Sequence, residues 1–235
     1  MFLPLHDGVP LRNMKTPIMT RSLIAACIVV YLLTFYEPLG GDALVAGLGL
    51  IPSVLFGTES LPDGYPFVPV ALTLATSMFL HVSFLHLAGN LLFLWVFGDN
   101  VEDAMGHVRF LVFFLLSGSI ASLTHALALP TSDRPLIGAS GGVAGVVAAY
   151  LILYPRVRIW CLFLQGIPLR LPAYWAIGFW FALQIVAAFF GSDDGVAWYA
   201  HLGGFITGAI LIPFMRLHPD PIRARIEAQE LQAPR

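Results

Sequence analysis

Six long apolar runs, at about 22–36, 82–98, 108–129, 138–154, 171–190 and 196–214, dominate this 235-residue chain. Each is close to the roughly 17–25 residues that an α-helix needs to cross hydrocarbon. Charge is scarce: 11% of residues are charged, against about 25% in soluble domains, and 58% are hydrophobic. The mean hydropathy is +0.82. Backbone polar groups in lipid must be satisfied within the segment, so the sequence predicts an all-α membrane protein, a bundle of six transmembrane helices.

An even number of spans leaves both termini on one side, and Lys and Arg say which. Arg12, Lys15, Arg21, Arg109, Arg156, Arg158, Arg170, Arg216, Arg223, Arg225 and Arg235 fall on the side of the termini, and only Arg134 falls on the other. Basic residues stay cytoplasmic in short loops, so both termini are expected in the cytoplasm. The predicted organisation is an N-terminal tail at 1–21, a six-helix domain at 22–215 and a C-terminal tail at 216–235, in an integral multi-pass protein of a bacterial inner membrane. The net charge of −2 argues against nucleic acid as a partner. Cys27 in the first helix and Cys161 in an inner loop give neither a disulfide framework nor a zinc site. The first outer connection, Glu37 to Leu80, is broken by Gly40, Gly41, Pro52, Gly57, Pro62, Gly64, Pro66 and Pro69. Its apolar pieces, Ala43 to Leu55 and Val68 to Leu80, are expected at the membrane interface, and a connection this long is more often functional than idle.

Polar side chains inside such spans are functional suspects by default. Ser140 lies about two residues into the fourth span and His201 about five into the sixth, while His86 and Asn90 lie about four and eight into the second. All three spans run inward from the outer side, so at 1.5 Å per residue these four residues share one layer to within roughly 10 Å. His86 and Asn90, at i and i+4, share a helix face. Gly204 and Gly208 follow His201 at i+3 and i+7, and Gly138/Gly142 and Gly141/Gly145 frame Ser140 at the spacing that lets helix backbones approach closely. Near approach is what a hydroxyl and an imidazole need if the imidazole is to take the hydroxyl's proton. An amide at the start of the fourth helix would favour an oxyanion.

The segments His81-Val-Ser-Phe-Leu-His86-Leu-Ala-Gly-Asn90, Gly98 through Arg109 with Glu102 and Gly106, Gly138-Ala-Ser140-Gly141, and Ala200-His201-Leu-Gly-Gly-Phe-Ile-Thr-Gly208 together resemble the rhomboid family of intramembrane serine proteases. The resemblance covers nearly all of the six-helix core. It implies a Ser-His dyad with Ser140 as nucleophile and His201 as general base, and an oxyanion hole of His86, Asn90 and the Ser140 amide. Two positions depart from the family pattern. Ala144 stands where many members carry an aromatic residue that stacks on the histidine, and the first outer connection lacks a Trp-Arg pair.

Set against these roles are plainer ones. Ser140 alone would read as a helix-packing serine, and His86 with Asn90 as a polar clamp. His81 reads equally well as a structural histidine bonding the first connection. His6, His107, His125 and His218 are expected in solvent, and Glu102, Asp103 and Arg109 as a structural charge cluster. The leading functional expectation is an endopeptidase that cleaves single-span transmembrane proteins, reached laterally past the fifth helix, with Gly191 to Val196 as a cover. It needs no cofactor and no metal. A non-catalytic rhomboid-like protein that binds transmembrane clients is the alternative, and a transporter is disfavoured because no inverted repeat is apparent.

Overall fold

The apolar runs become helices in the predicted order. The computed structural model describes residues 2–35, 41–163, 166–190 and 195–217. Strand β1 (Phe2–His6) precedes α1 (Ile18–Phe35). The first connection folds into short helices, α2 (Gly41–Leu48), α3 (Pro52–Leu55) and α4 (Thr73–Thr76), with 3-10 turns on either side of α4. Then follow α5 (Phe84–Met105), α6 (His107–Ala128), α7 (Ser140–Leu153), strands β2 (Arg158–Phe163) and β3 (Ile167–Pro172), α8 (Ala173–Phe190) and α9 (Trp198–Met215). Four of these, α5, α6, α8 and α9, are long and apolar enough to cross a membrane, and α1 and α7 are shorter apolar helices.

Local chemistry sets the boundaries. Ser83 caps α5, its Oγ accepting from the His86 amide at 3.2 Å, which satisfies one of the orphan donors of the first turn. Gly106 separates α5 from α6 at φ +78°, a left-handed conformation that a β-carbon disfavours. With it, α5 runs through Glu102 and Asp103 and ends seven residues beyond the predicted span.

The core is α7. All but three of its 14 residues are buried, because α5, α6 and α9 pack around it. At 1.5 Å per residue it covers about 21 Å, short of the roughly 30 Å of a hydrocarbon core. A helix enclosed by other helices need not match the lipid thickness. On α8 the opposite holds: only Ala173, Ala176, Ile177 and Gln184 are buried, and Trp175, Phe179, Leu183, Val186 and Phe190 point outward.

The all-α expectation needs correction. β1, β2 and β3 form a three-stranded antiparallel sheet in that order, so residues 2–6 of the expected tail are a strand and Cys161 lies in β2 rather than in a loop. Burial alternates along β2, with Ile159 and Cys161 inside and Arg158 and Trp160 outside, the period of a half-buried strand. Cys161 packs with Ala176 of α8, and both cysteines are free.

One end of the bundle is tied together by buried carboxylates. Glu102, fully buried, accepts from the Met19 and Thr20 amides and the Thr20 hydroxyl, capping α1, and pairs with His107. Asp103 accepts from the amides of Arg12, Asn13 and Met14. Asp7 accepts from Tyr150 Oη at 2.8 Å and Asn100 Nδ2 at 2.9 Å. Leu217 closes the same end, its amide donating to the carbonyl of Ala104. Arg109 instead donates to the carbonyl of Met215. The expected charge cluster is thus structural, with Arg109 outside it.

Candidate functional site

Glycine determines how near the other end of the bundle can close. A β-carbon on Gly204 would overlap the carbonyl of Gly141, and one on Gly208 that of Gly145. α7 and α9 therefore touch backbone to backbone, through the glycines whose spacing predicted it. The first residue of α7 is Ser140 and the fourth of α9 is His201. Gly138, at φ +117°, turns the chain into α7. A β-carbon there would lie 2.6 Å from Cε1 of His86, so the imidazole of α5 packs directly over the approach to Ser140.

Ser140, His201, His86 and Asn90 all line one cavity of about 650 Å³. His125, Trp180, Val143 and Ala144 also contribute to its wall. The Asn90 amide donates to the carbonyl of His86 at 3.0 Å, one turn back on the same helix, and its second N–H remains. The amides of Ser140, Gly141 and Gly142 open α7 and have no intrahelical acceptor. Among the described residues no hydrogen bond joins Ser140 Oγ to His201. Catalytic hydrogen bonds are commonly long in unliganded sites and tighten when substrate binds.

His201 has a partner that the sequence reading missed. Its Nδ1 is 2.6 Å from Oε1 of Gln184 on α8, and Gln184 is 7% exposed. The aromatic surroundings absent at Ala144 come from elsewhere: Trp180 lies 6.4 Å from His201 between ring centroids, and Trp198 lies edge-on at 5.9 Å. Gln184 had a signal, as the one amide side chain in an otherwise apolar and aromatic helix.

Other histidines sort themselves by contact. His81 is 2% exposed and bonds the Phe79 carbonyl through Nδ1 at 3.2 Å. Its ring meets that of His86 edge-on at 5.1 Å, so it braces the connection against the cavity wall. His6 is exposed as expected. His125 is not in solvent: it is half-buried and lines the cavity from the last turn of α6. His107 is held by Glu102. His218, and residues 191–194 of the expected cover, lie outside the described residues.

Fold and site together define an integral multi-pass membrane protein, mostly helical, with a hydroxyl, three imidazoles and an amide gathered around one cavity. The chain belongs to the rhomboid family: the Rhomboid domain matches residues 70–218. It is 29% identical over 185 residues to Rhomboid protein 1, mitochondrial, of Saccharomyces cerevisiae, covering 74% of this chain and 51% of that protein. RHOMBOID-like protein 6, mitochondrial, of Arabidopsis thaliana is 29% identical over 63% of this chain and 44% of its own length. Inactive rhomboid protein 1 of Drosophila melanogaster is 35% identical over 94 residues, which are 38% of this chain and 6% of that protein. The chain spans about half the length, or less, of these relatives. Two of their names carry mitochondria, so the expectation of a bacterial inner membrane draws no support from them.

Proposed function

We propose that this chain is an intramembrane serine endopeptidase that cleaves single-span transmembrane proteins, with Ser140 as nucleophile and His201 as general base. The observation that carries the reading is the direct backbone contact of α7 and α9, which brings a serine and a histidine to one cavity inside an apolar bundle. A neutral imidazole takes the hydroxyl proton as the oxygen attacks the scissile carbonyl, and returns it to the leaving amine. The developing oxyanion is met by the Ser140 amide, the His86 ring and the free N–H of Asn90, aided by the positive end of α7. No metal or cofactor enters this scheme.

In this reading α1, α5, α6, α7, α8 and α9 are the six spans of a domain at 22–215, flanked by tails at 1–21 and 216–235, with both termini cytoplasmic. The shortness of α7 then puts Ser140 inside the hydrocarbon level, where the cavity supplies water. Substrate arrives laterally past α8 and must unwind locally to present an extended strand, which favours helices with Gly, Pro or small residues near the cut.

A second reading, a client-binding protein without catalysis, is favoured by one observation, the similarity to a relative whose name calls it inactive. Both dyad residues weigh against it. Purified protein in detergent, incubated with a model single-span substrate, separates the two. The protease reading expects cleavage that disappears in folded Ser140→Ala and His201→Ala, and cleavage surviving Ser140→Ala ends it.

A further inference from the structure

We propose that Gln184 is the positioning residue of His201, holding the proton on Nδ1 so that the lone pair of Nε2 is left for Ser140. The proposal rests on the protease reading for its consequence, but its geometry stands apart. Which imidazole nitrogen carries the proton is set by what the other nitrogen bonds. His201 Nδ1 faces Gln184 Oε1 at 2.6 Å. An amide oxygen only accepts, so that contact requires Nδ1–H and makes Nε2 the basic atom.

Among the described residues no other acceptor bonds His201 Nδ1. α7, α8 and α9 contain no Asp, Glu, Lys or Arg at all. The titratable groups acting on His201 are His86 from α5 and His125 from α6, the connection before α7 adds Arg134 to the cavity wall, α7 contributes the neutral Ser140, and α8 contributes Trp180 and Gln184. Arg109, the charged residue of α6, sits at the opposite end of its helix near Met215. Trp180, one turn before Gln184 on the same helix, and Trp198, one turn before His201, bound the ring sideways, so the Gln184 bond selects its tautomer within a slot the tryptophans define. A buried amide in an apolar helix is retained at a cost when unpaired. Among the described residues its side chain makes this hydrogen bond alone. Gln184 thus takes the place that a carboxylate holds in a triad, supplying orientation without a charge.

A glutamine can also turn its NH2 toward Nδ1, which would select the opposite tautomer. A glutamate in its place can only accept when ionised, so Gln184→Glu distinguishes the two. The experiment compares wild type, Gln184→Met and Gln184→Glu in detergent by cleavage kinetics against pH, and by 15N NMR of His201 in protein labelled at histidine. The inference expects the Nδ1–H tautomer in wild type and in Gln184→Glu, and loss of that preference in Gln184→Met. It expects kcat to fall about tenfold or more in Gln184→Met with KM within about twofold. In Gln184→Glu it expects cleavage to be retained, with the acid limb of kcat/KM moved to higher pH by the added negative charge. A wild-type tautomer preference that survives Gln184→Met, or kinetics in that variant equal to wild type, overturns the inference. So does a Gln184→Glu protein as slow as Gln184→Met. Wild-type protein that fails to cleave would sink the protease reading instead, and the tautomer measurement would still decide whether Gln184 orients the ring.

Discussion

The two ends of the bundle both bury polar groups among apolar helices, and they differ in how those groups are used. At the sheet end every carboxylate is answered: Glu102 caps α1, Asp103 collects three backbone amides, and Asp7 takes a tyrosine and an asparagine. At the cavity end Ser140 Oγ has no partner among the described residues, Asn90 keeps one donor, and the three imidazoles His86, His125 and His201 line the cavity, only His201 Nδ1 being held by a side chain, that of Gln184. A saturated network stabilises, because removing any member strands a buried group. An unsaturated one costs stability and keeps its capacity to bond for something that arrives. By that measure the sheet end is architecture, and the cavity end is where the protease reading places its chemistry.

The sharpest way to break the contrast is Ser140→Ala, which should lower cleavage of a single-span substrate by at least about 10³-fold while the midpoint of thermal unfolding in detergent stays within a few degrees. Asp103→Ala should do the reverse. It strands three amides of the segment before α1 and should cost on the order of 3 kcal/mol of stability, read as a lowered unfolding midpoint, with kcat per folded molecule unchanged. His86→Ala belongs with the cavity: loss of one oxyanion donor should lower kcat about 10²-fold with little change in folding. Gly204→Ala lies between the two, since its methyl group would force α9 from the Gly141 carbonyl. It should cost about 1–3 kcal/mol and slow cleavage as well, because the same contact brings Ser140 and His201 together.

The smallest effect belongs to Asp7. Burial lifts its carboxyl above the ordinary aspartate range, with the Tyr150 bond opposing. A proton held more firmly in the folded than in the unfolded chain makes stability fall as pH rises from the unfolded value. Asp7→Asn should therefore gain on wild type as pH rises from about 4 to 7, followed by thermal unfolding at the two pH values. A difference that shrinks over that window would mean that Asp7 is held as an anion after all.

Much of this was legible because hydrocarbon makes polar residues conspicuous. Ser140, His201, His86 and Asn90 stood out from their spans, and the glycines at 141, 145, 204 and 208 announced which helices touch. The sheet was hidden because its pairing is non-local: nothing within residues 2–6 says that they will meet residues 160–163, and the alternation in β2 covers only a few residues. The start of α8 was misplaced for the same reason, since Leu171 and Pro172 are apolar yet belong to β3. No motif surrounds Gln184, and an amide among the aromatics of α8 is its one signal in the sequence. Ala144 concealed the aromatic walls of His201, which come from Trp180 and Trp198 on two other elements.

Covalent labelling tests the central claim most directly. Wild-type protein in detergent, treated with a fluorophosphonate and mapped by mass spectrometry, should carry the adduct on Ser140, and folded His201→Ala should carry almost none. Folded wild-type protein that stays unlabelled, or an adduct on Ser140 that forms as fast without His201, would contradict the account.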